Sequence, residues 1–393
     1  MGGIMVNEFM TSAVVKVSSK CNLNCTYCYM YNLEDRSFHD QVPFMSSEVA
    51  HALIRAVSLH CQAHDVPTFT FIFHGGEPLL ARNAFFDDFV TTAKELIPAS
   101  TKLAFSIQTN GILLDTKRSE MLKSLGIRVG VSIDGPRDAN DRYRVDHKGR
   151  GSYDRVLKGW HVAQEQGLAP GLLTVVDVTQ DVRTFYSHIQ DLNPRKADVL
   201  LPDANYAQSP ERPLGDREAY GKWLYNLFEL WVEDASTSFE IRMFNTLISA
   251  ILADPGDKFA FSKLHNGIFT INPDGGLETL DLLKACDSNS AATPYNITTD
   301  ALDALFQVPV MRLYYYERQA VCGECRECPY LRICGGGWLP HRYSRENEFD
   351  NPSIYCDDLK YLFRKVIQWI KREASEQLIS PDEELHLCEA DSK

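Results

Sequence analysis

Six strand-like segments alternate with helix-like segments through the first half of the chain. The strand-like segments are AVVKVS (13–18), FTFIFHG (69–75), KLAFSIQTNG (102–111), RVGVSIDG (128–135), GLLTVVDVT (171–179) and ADVLLPDAN (197–205). The segments 46–64, 82–98, 115–126, 152–167 and 182–192 carry apolar residues at helical spacing. Strands joined by crossover helices run parallel, and six units fall short of the eight in a closed barrel. The pattern predicts an α/β fold with a partial (β/α)6 TIM-like barrel.

Polar motifs follow these strands directly. They are the cysteine loop CNLNCTYC, HGGEP, QTNG, SIDGP and LPDAN. The carboxyl ends of barrel strands form the rim on which active sites are built. The functional site is therefore expected at this rim.

The chain composition excludes several classes of partner. The formal net charge is −13, which argues against nucleic acid and anionic membranes as general partners. No apolar run approaches the roughly 18–20 residues of a membrane span. We expect a cytoplasmic protein with no membrane partner.

The pattern changes from about residue 216. Segments 216–234 and 240–253 are predicted to be two helices with no strand between them, and 268–280 a hairpin around the turn PDGG. A cysteine-rich stretch and an amphipathic helix follow. The predicted domains are a barrel (1–215), a helical linker region (216–262), a cysteine-rich domain (263–360) and a C-terminal helix with its tail (361–393).

Three cysteines within eight residues, Cys21, Cys25 and Cys28, are too few to saturate a [4Fe–4S] cluster. The fourth iron would keep an open coordination position, as catalytic metal sites do. A ligand with an amine and a carboxylate, such as S-adenosylmethionine (SAM), would chelate that iron. Electron transfer to its sulfonium would release a 5′-deoxyadenosyl radical. The alternative is a zinc knuckle with a distant fourth ligand.

The other rim motifs offer groups for the same ligand. Gly75 and Gly76 allow close backbone approach, and Glu77 is an acceptor for an ammonium group. Ser132 and Arg144 together suit a carboxylate. Side chains that could reach the ribose follow the third strand: Gln108, Thr109 and Asn110.

These motifs resemble those of radical SAM enzymes. The family's C-x3-C-x-aromatic-C signature corresponds to the three cysteines together with Tyr27, and GGEP, the Ser132–Arg144 pair and GSYDRV (151–156) resemble further family motifs. The resemblance implies a partial (β/α)6 barrel over about residues 10–210. It also implies that Glu77 contacts the SAM amine, and that Ser132 and Arg144 contact the SAM carboxylate.

The second cysteine group, within 322–356, resembles the SPASM extension of such enzymes. The resemblance implies an auxiliary [4Fe–4S] cluster on Cys325, Cys328, Cys334 and Cys356. The family's first auxiliary cluster lacks its cysteines here, with Trp338, Leu264 and Thr279 at or near the corresponding positions. Cys286 and Cys322 are left over. We expect one auxiliary cluster, with a zinc site as the alternative.

A general base for a substrate radical is expected at the barrel mouth. Asp281, just after the hairpin, and Asp203, at the end of the sixth strand, are the catalytic candidates. His341 and Tyr343 are further candidates.

The resemblance implies a ribosomal precursor peptide as substrate and a reductant such as flavodoxin or ferredoxin as partner. The expected reaction is modification of a side-chain β-carbon, such as a carbon–carbon (cyclophane) crosslink. Formylglycine formation, as in anaerobic sulfatase maturation, is one alternative, and epimerisation or thioether formation is another. An iron–sulfur electron carrier or a zinc-binding module would be a different class.

Overall fold

A computed structural model of the protein describes residues 9–253, 267–287, 289–315 and 321–377. The chain divides into two compact units, one of residues 1–174 with 265–316 and the other of residues 175–264 with 317–393. Leu264, one of the positions at which the sequence lacks an expected cysteine, lies outside the described residues.

The described residues form ten strands and twelve α-helices. The strands are β1 (Ser12–Ser18), β2 (Thr68–Gly75), β3 (Lys102–Thr109), β4 (Ile127–Ser132), β5 (Gly171–Val175), β6 (Lys196–Leu200), β7 (Glu240–Ile241), β8 (Ile268–Ile271), β9 (Gly276–Glu278) and β10 (Ala292–Asn296). The helices are α1 (Ser47–Ala63), α2 (Asn83–Leu96), α3 (Thr116–Leu125), α4 (Arg137–Tyr143), α5 (Tyr153–Glu165), α6 (Val182–Leu192), α7 (Ala219–Glu233), α8 (Arg242–Leu252), α9 (Pro309–Tyr315), α10 (Gly323–Arg326), α11 (Leu331–Cys334) and α12 (Cys356–Gln377).

The first unit is built on a parallel sheet. Strand β1 pairs in parallel with β2, and the parallel series continues through β3, β4 and β5. This confirms the predicted fold class. The hairpin of β8 and β9 is also present, and β10 extends it in antiparallel fashion.

Strand β8 also pairs in parallel with the far side of β1, so that Val14 lies opposite Ile72 on one side and Thr270 on the other. The pairing joins residues more than 250 positions apart. Hydrophobic periodicity reports only local structure, and the sequence therefore gave no sign of this contact.

The buried face of β2 shows how a helix packs against the sheet. Phe69, Phe71 and Phe73 alternate along β2 and are all fully buried, as expected for a strand with period-two side chains. The Phe71 ring packs edge-on against Phe89 of α2, with ring centroids 5.1 Å apart. Local caps fix the helix ends: the Ser46 hydroxyl accepts from the Val49 amide at the start of α1.

The second unit is mainly helical, with α12 packed against α7. It corrects one prediction, because strand β7 lies between α7 and α8, where no strand was expected. Its two residues pair in parallel with β6, Glu240 opposite Lys196 and Ile241 opposite Ala197. A two-residue strand is too short to show alternation in the sequence.

Among the described residues, no helix is both long and apolar enough to cross a membrane.

Candidate active site

The first three cysteines lie in one loop that begins soon after β1. The loop is held by backbone bonds to the segment after α4: the Asn24 amide donates to the Val145 carbonyl at 2.7 Å, and the Thr26 amide to the Tyr143 carbonyl at 2.9 Å. The Leu23 amide lies 3.4 Å from the Cys21 sulfur. The loop is thus fixed by its own amides and by a second loop from the same rim.

The thiols of this loop are poorly solvated. Burial raises the pKa of Cys21 to about 12 and that of Cys28 to about 11, and burial also raises the pKa of Cys25. Without a metal these groups hold their protons at neutral pH. Metal binding therefore has to release protons from them.

The two glycines of HGGEP bring the end of β2 against the start of the cysteine loop. A Cβ atom on Gly76 would lie 2.3 Å from the Lys20 carbonyl oxygen, and one on Gly75 would lie 2.3 Å from that of Ser18. The Glu77 amide donates to the Lys20 carbonyl at 2.9 Å. Glycine is therefore needed at both positions because the end of β2 lies against the backbone of residues 18–20. Their predicted contact with SAM stays a prediction.

Glu77 is fully buried and organises the rim. Its carboxylate accepts from the Leu79 amide at 2.9 Å, the Thr109 hydroxyl at 2.7 Å and the Asn110 amide at 2.8 Å. Burial raises the pKa of Glu77, although these hydrogen bonds oppose the shift. A carboxylate has about four lone-pair sites, so one acceptor position is left for an ammonium group.

Arg144 is buried and has an unused donor. Its Nη1 donates to the Tyr27 hydroxyl at 2.8 Å, and the same hydroxyl donates to Asp134. Its buried Nε has no hydrogen-bond partner among the described residues. An orphaned guanidinium donor beside the cysteine loop suits a carboxylate ligand. The residues present therefore fit a cluster that binds SAM.

Ser132, Gln108 and Asn110 lie on the same rim. Gln108 donates to the Ser132 hydroxyl at 2.9 Å, and Asn110 donates to the Asn22 side chain at 2.7 Å. Ser132 is thus hydrogen-bonded to Gln108, and Arg144 is hydrogen-bonded to Tyr27. Direct contact of these residues with SAM stays a prediction.

Asp281 begins the 3-10 turn Asp281–Ala285 and is buried in the first unit. Lys16 of β1 lies 2.7 Å from its Oδ2 atom, and the Tyr29 hydroxyl donates to the same oxygen at 2.7 Å. Burial alone would raise the pKa of Asp281, but the charge of Lys16 and the hydrogen bonds from Lys16 and Tyr29 hold it well below its usual range. Asp281 is therefore a carboxylate at neutral pH, close in the chain fold to the cysteine loop that carries Tyr29.

His74 precedes the two glycines and faces the same ion pair. Burial, helped by the charge of Lys16, lowers the pKa of His74 to about 4. Its Nδ1 has no hydrogen-bond partner in the part of the chain that the structure describes. His74 is therefore a neutral imidazole beside a charged pair.

The other base candidates lie in the second unit. Asp203 is half-buried and lies near Tyr355, whose hydroxyl donates to the Pro202 carbonyl at 3.0 Å. His341 is buried, and burial lowers its pKa to about 4. The Tyr343 carbonyl accepts from the Tyr206 amide at 3.0 Å. A catalytic role for Asp203, His341 or Tyr343 stays a prediction.

The second cysteine group surrounds a cavity that is partly open to solvent. Cys325, Cys328, Cys334 and Cys356 all line it. The other lining residues are mainly apolar: Tyr330, Leu331, Gly336, Ser353, Leu359, Lys360 and Phe363. Burial raises the pKa of Cys334 to about 12, opposed by hydrogen bonds from the Gly336 and Gly337 amides. Four thiols around one mainly apolar cavity fit an auxiliary [4Fe–4S] cluster.

The positions at which a first auxiliary cluster would need cysteines carry other residue types. The Thr279 hydroxyl donates to the Ala291 carbonyl at 3.3 Å. Nearby, Lys284 bridges Glu278 at 2.8 Å and Asp35 at 3.3 Å, and all three side chains are buried. Among described residues 267–315, Cys286 is the one cysteine. These residues do not fit a four-thiolate cluster in the first unit.

The comparisons with known proteins agree with this site. Residues 15–184 match the radical SAM superfamily. Over 359 residues, the chain is 26% identical to the cysteine-type anaerobic sulfatase-maturating enzyme of Clostridium perfringens, covering 88% of this chain and 93% of that protein.

Two solved structures share the fold. Native anSMEcpe with bound AdoMet and Cp18Cys peptide superposes with a TM-score of 0.79 at 24% identity, covering 93% of this chain and 99% of that chain. Streptococcus suis SuiB bound to precursor peptide SuiA gives a TM-score of 0.59 at 18% identity, covering 88% and 76%.

Residues 15–184 belong to the radical SAM superfamily, and the cysteine-rich C-terminal region is consistent with a SPASM-type extension. The protein is an enzyme whose cofactors are SAM and [4Fe–4S] clusters, including an auxiliary one.

Sequence reasoning missed three residues of the site: Lys16, Tyr29 and Asp134. Lys16 carried a signal, because a lysine inside the β-branched run AVVKVS must be buried, and a buried lysine needs a partner. Asp134 follows the predicted SAM contact Ser132 within SIDGP. Tyr29, directly after the third cysteine, had no distinguishing signal.

Proposed function

We propose that this enzyme modifies the side-chain β-carbon of a residue in a ribosomal precursor peptide, forming a carbon–carbon crosslink. The relatives support a peptide or protein substrate: one is named a sulfatase-maturating enzyme, and two matched structures contain the Cp18Cys peptide or the precursor peptide SuiA. The similarity of the sulfatase-maturating enzyme extends over 88% of this chain, so it includes more than the cofactor-binding region.

The observation that carries the proposal is the ionised, buried Asp281. A carboxylate with a depressed pKa is a weak base, but it is unprotonated at neutral pH and can take a strongly acidic proton, such as the one a ring carbon carries once the electron has left. Lys16 and Tyr29 fix its position by contacting one oxygen. These two contacts account for the position of that oxygen.

Bound SAM and its cluster supply a 5′-deoxyadenosyl radical that removes one hydrogen atom from the β-carbon. We propose that this chain orients SAM through Glu77 at the amine and Arg144 at the carboxylate. The β-carbon then bonds to an aromatic ring carbon of the peptide, and the ring loses a proton and an electron. Asp281 takes the proton. The auxiliary cluster, held by Cys325, Cys328, Cys334 and Cys356, would supply an electron acceptor.

Formylglycine formation is the second candidate, and the sulfatase-maturating relatives favour it. It begins with the same loss of a β-hydrogen, after which Asp281 would take the proton of the serine hydroxyl or cysteine thiol and the auxiliary cluster would accept the remaining electron. The crosslink is preferred because Trp338 and Thr279 stand at or near positions where the family's first auxiliary cluster has cysteines. Epimerisation would begin with loss of the α-hydrogen instead, and thioether formation would join a cysteine sulfur to the carbon that loses its hydrogen.

Mass spectrometry of a co-expressed candidate precursor peptide tests the proposal. The crosslink removes two hydrogen atoms and leaves a product that does not react with hydrazides. Formylglycine from serine has the same mass but forms a hydrazone, and formylglycine from cysteine also loses its sulfur. Epimerisation leaves the mass unchanged. A hydrazide-reactive product would contradict the crosslink and support the second candidate.

Two matched variants separate the candidate bases. Asp281→Asn should abolish the crosslink while SAM is still cleaved, and Asp203→Asn should leave the product. The reverse result would move the base to Asp203.

The proposed electron source is a low-potential flavodoxin or ferredoxin. A reducing compartment keeps cluster-binding thiols reduced, which supports the proposed cytoplasmic location. Supplying each reductant separately to the purified enzyme and measuring 5′-deoxyadenosine tests the choice.

A further inference from the structure

Two histidines and an aspartate meet on the first unit, apart from the cysteine loop. His60 and His64 lie one turn apart at the end of α1. Asp303 belongs to the 3-10 turn Leu302–Gln307. One carboxylate oxygen lies 2.5 Å from His60 Nδ1, and the other lies 2.7 Å from His64 Nε2.

The three side chains are arranged as metal ligands. One ligand atom from each residue lies within 4.8 Å of the other two. Zinc–ligand bonds of about 2.0–2.2 Å place neighbouring ligand atoms roughly 3.3 Å apart in a tetrahedron. Each carboxylate oxygen would therefore lie about 0.6–0.8 Å further from its ring nitrogen. Asp303 is partly exposed, with 42% of its side chain accessible, and such a movement displaces no core residue.

A backbone contact fixes the second ring nitrogen of His60. Its Nε2 accepts from the Met10 amide at 2.9 Å and lies 3.1 Å from the Met10 carbonyl oxygen. Metal binding at Nδ1 would place the proton on Nε2, which would then donate to that carbonyl, and the Met10 amide would give up its bond to Nε2. Metal-binding histidines usually donate their second ring nitrogen to a carbonyl or carboxylate in this way.

The chemistry of the donors selects the ion. Two imidazoles and one carboxylate suit zinc and similar transition metals, whereas magnesium and calcium prefer oxygen ligands alone. The Phe306 ring lies 6.4 Å from the His60 ring and 6.5 Å from the His64 ring, and it gives the site an apolar side.

We propose that His60, His64 and Asp303 form a zinc site, with water as the fourth ligand. Zinc there fastens α1 to the turn 302–307. The same chain segment, 267–315, also carries Asp281 within the first unit. The site is therefore structural, and it contributes no group to SAM or to the cysteine loop.

The test uses the reconstituted holoenzyme without a polyhistidine tag, dialysed against buffered free zinc. Wild type should retain one zinc per chain with its iron content unchanged. His64→Gln and Asp303→Asn should each weaken zinc binding by at least about tenfold. His51→Gln is the matched control, because His51 is another partly exposed α1 histidine that pairs with an aspartate, Asp88; it should retain the zinc.

X-ray absorption at the zinc edge separates this site from zinc bound at a cysteine group. The proposal predicts nitrogen and oxygen neighbours at about 2.0–2.1 Å and no sulfur neighbour at about 2.3 Å. Sulfur in the zinc shell, no zinc in wild type, or equal zinc in wild type and the two ligand variants would each overturn the proposal. In that case the three residues form only a hydrogen-bonded clasp.

Discussion

The ammonium nitrogen of Lys16 lies 2.7 Å from a carboxylate oxygen of Asp281, and both side chains are almost fully buried. The pair joins the middle of β1 to the turn after the β8–β9 hairpin. A buried carboxylate stays ionised only if an opposite charge compensates for the lost water. Lys16 is therefore a positioning residue that keeps the proposed base charged.

Replacing Lys16 by methionine should raise the pKa of Asp281. In the native protein this pKa is depressed, so the carboxylate remains charged from neutral pH down past about 3.9, the ordinary value for aspartate. The variant should therefore lose product formation as the pH falls from neutral, while SAM cleavage persists. Breaking one side of a buried pair should also cost about 3–5 kcal/mol of unfolding free energy.

The measurement is product formation as a function of pH, with thermal denaturation in parallel. Lys16→Arg preserves the charge and should largely preserve the pH profile even if stability falls. Lys102→Met, at an exposed position of β3, is the matched control. An unchanged pH profile in a folded Lys16→Met variant would show that Lys16 does not set the charge of the base.

Arg144→Lys should weaken SAM binding. A charge-assisted hydrogen bond contributes roughly 1.5–3 kcal/mol, which is about tenfold to a hundredfold in affinity. Lysine keeps the charge but has no counterpart of the unused Nε donor or of the planar fork. SAM titration followed by the paramagnetic signal of the cluster measures the effect. Arg128→Lys, on the exposed side of β4, is the control, and equal affinities in the two variants would contradict the assignment of Arg144.

Glu77→Gln should reduce both SAM affinity and stability. The glutamine amide replaces one acceptor oxygen, so at least one of the donors from Leu79, Thr109 and Asn110 loses its partner. An unsatisfied buried donor costs about 1–3 kcal/mol. Denaturant unfolding and SAM titration measure the two effects separately. A variant with native stability and native SAM affinity would remove Glu77 from both roles.

The iron content of the protein should depend on both cysteine groups, with one cluster bound by each. Wild type should bind about eight irons per chain, four for each cubane. Replacing Cys21, Cys25 and Cys28 together by alanine should leave about four irons and abolish SAM cleavage. Cys322→Ala should leave the iron unchanged, because Cys322 is not among the cysteines that line the auxiliary cavity. About twelve irons in wild type would show that a first auxiliary cluster exists.

Local patterns predicted most helices and strands to within a few residues, because each element repeats its own period. Helix α6 matches its predicted range at both ends, since Asp181 caps its start and Asn193 ends it in the left-handed conformation. The pairing of β8 with β1 and the two-residue β7 were not predicted. The first depends on residues far apart in the chain, and the second is too short to show a period.

The residues of the candidate site likewise fall into those that local sequence predicted and those that depend on distant contacts. The cysteine groups, Glu77 and Arg144 could be found because their spacing or motif is local. Asp281 could be proposed from its place after a hairpin, but its charge state could not, because that depends on Lys16 and Tyr29. The second role of Glu77, as an acceptor for three groups of the chain, also appears only in three dimensions.

The central claim is that the enzyme removes a hydrogen atom from a peptide β-carbon. It is tested by treating the holoenzyme with SAM, reductant and the peptide found in co-expression, labelled with deuterium at the β-carbon of the modified residue. The account predicts that 5′-deoxyadenosine gains deuterium from this peptide and none from a matched peptide labelled at the α-carbon. Deuterium transfer from the α-carbon alone would contradict it.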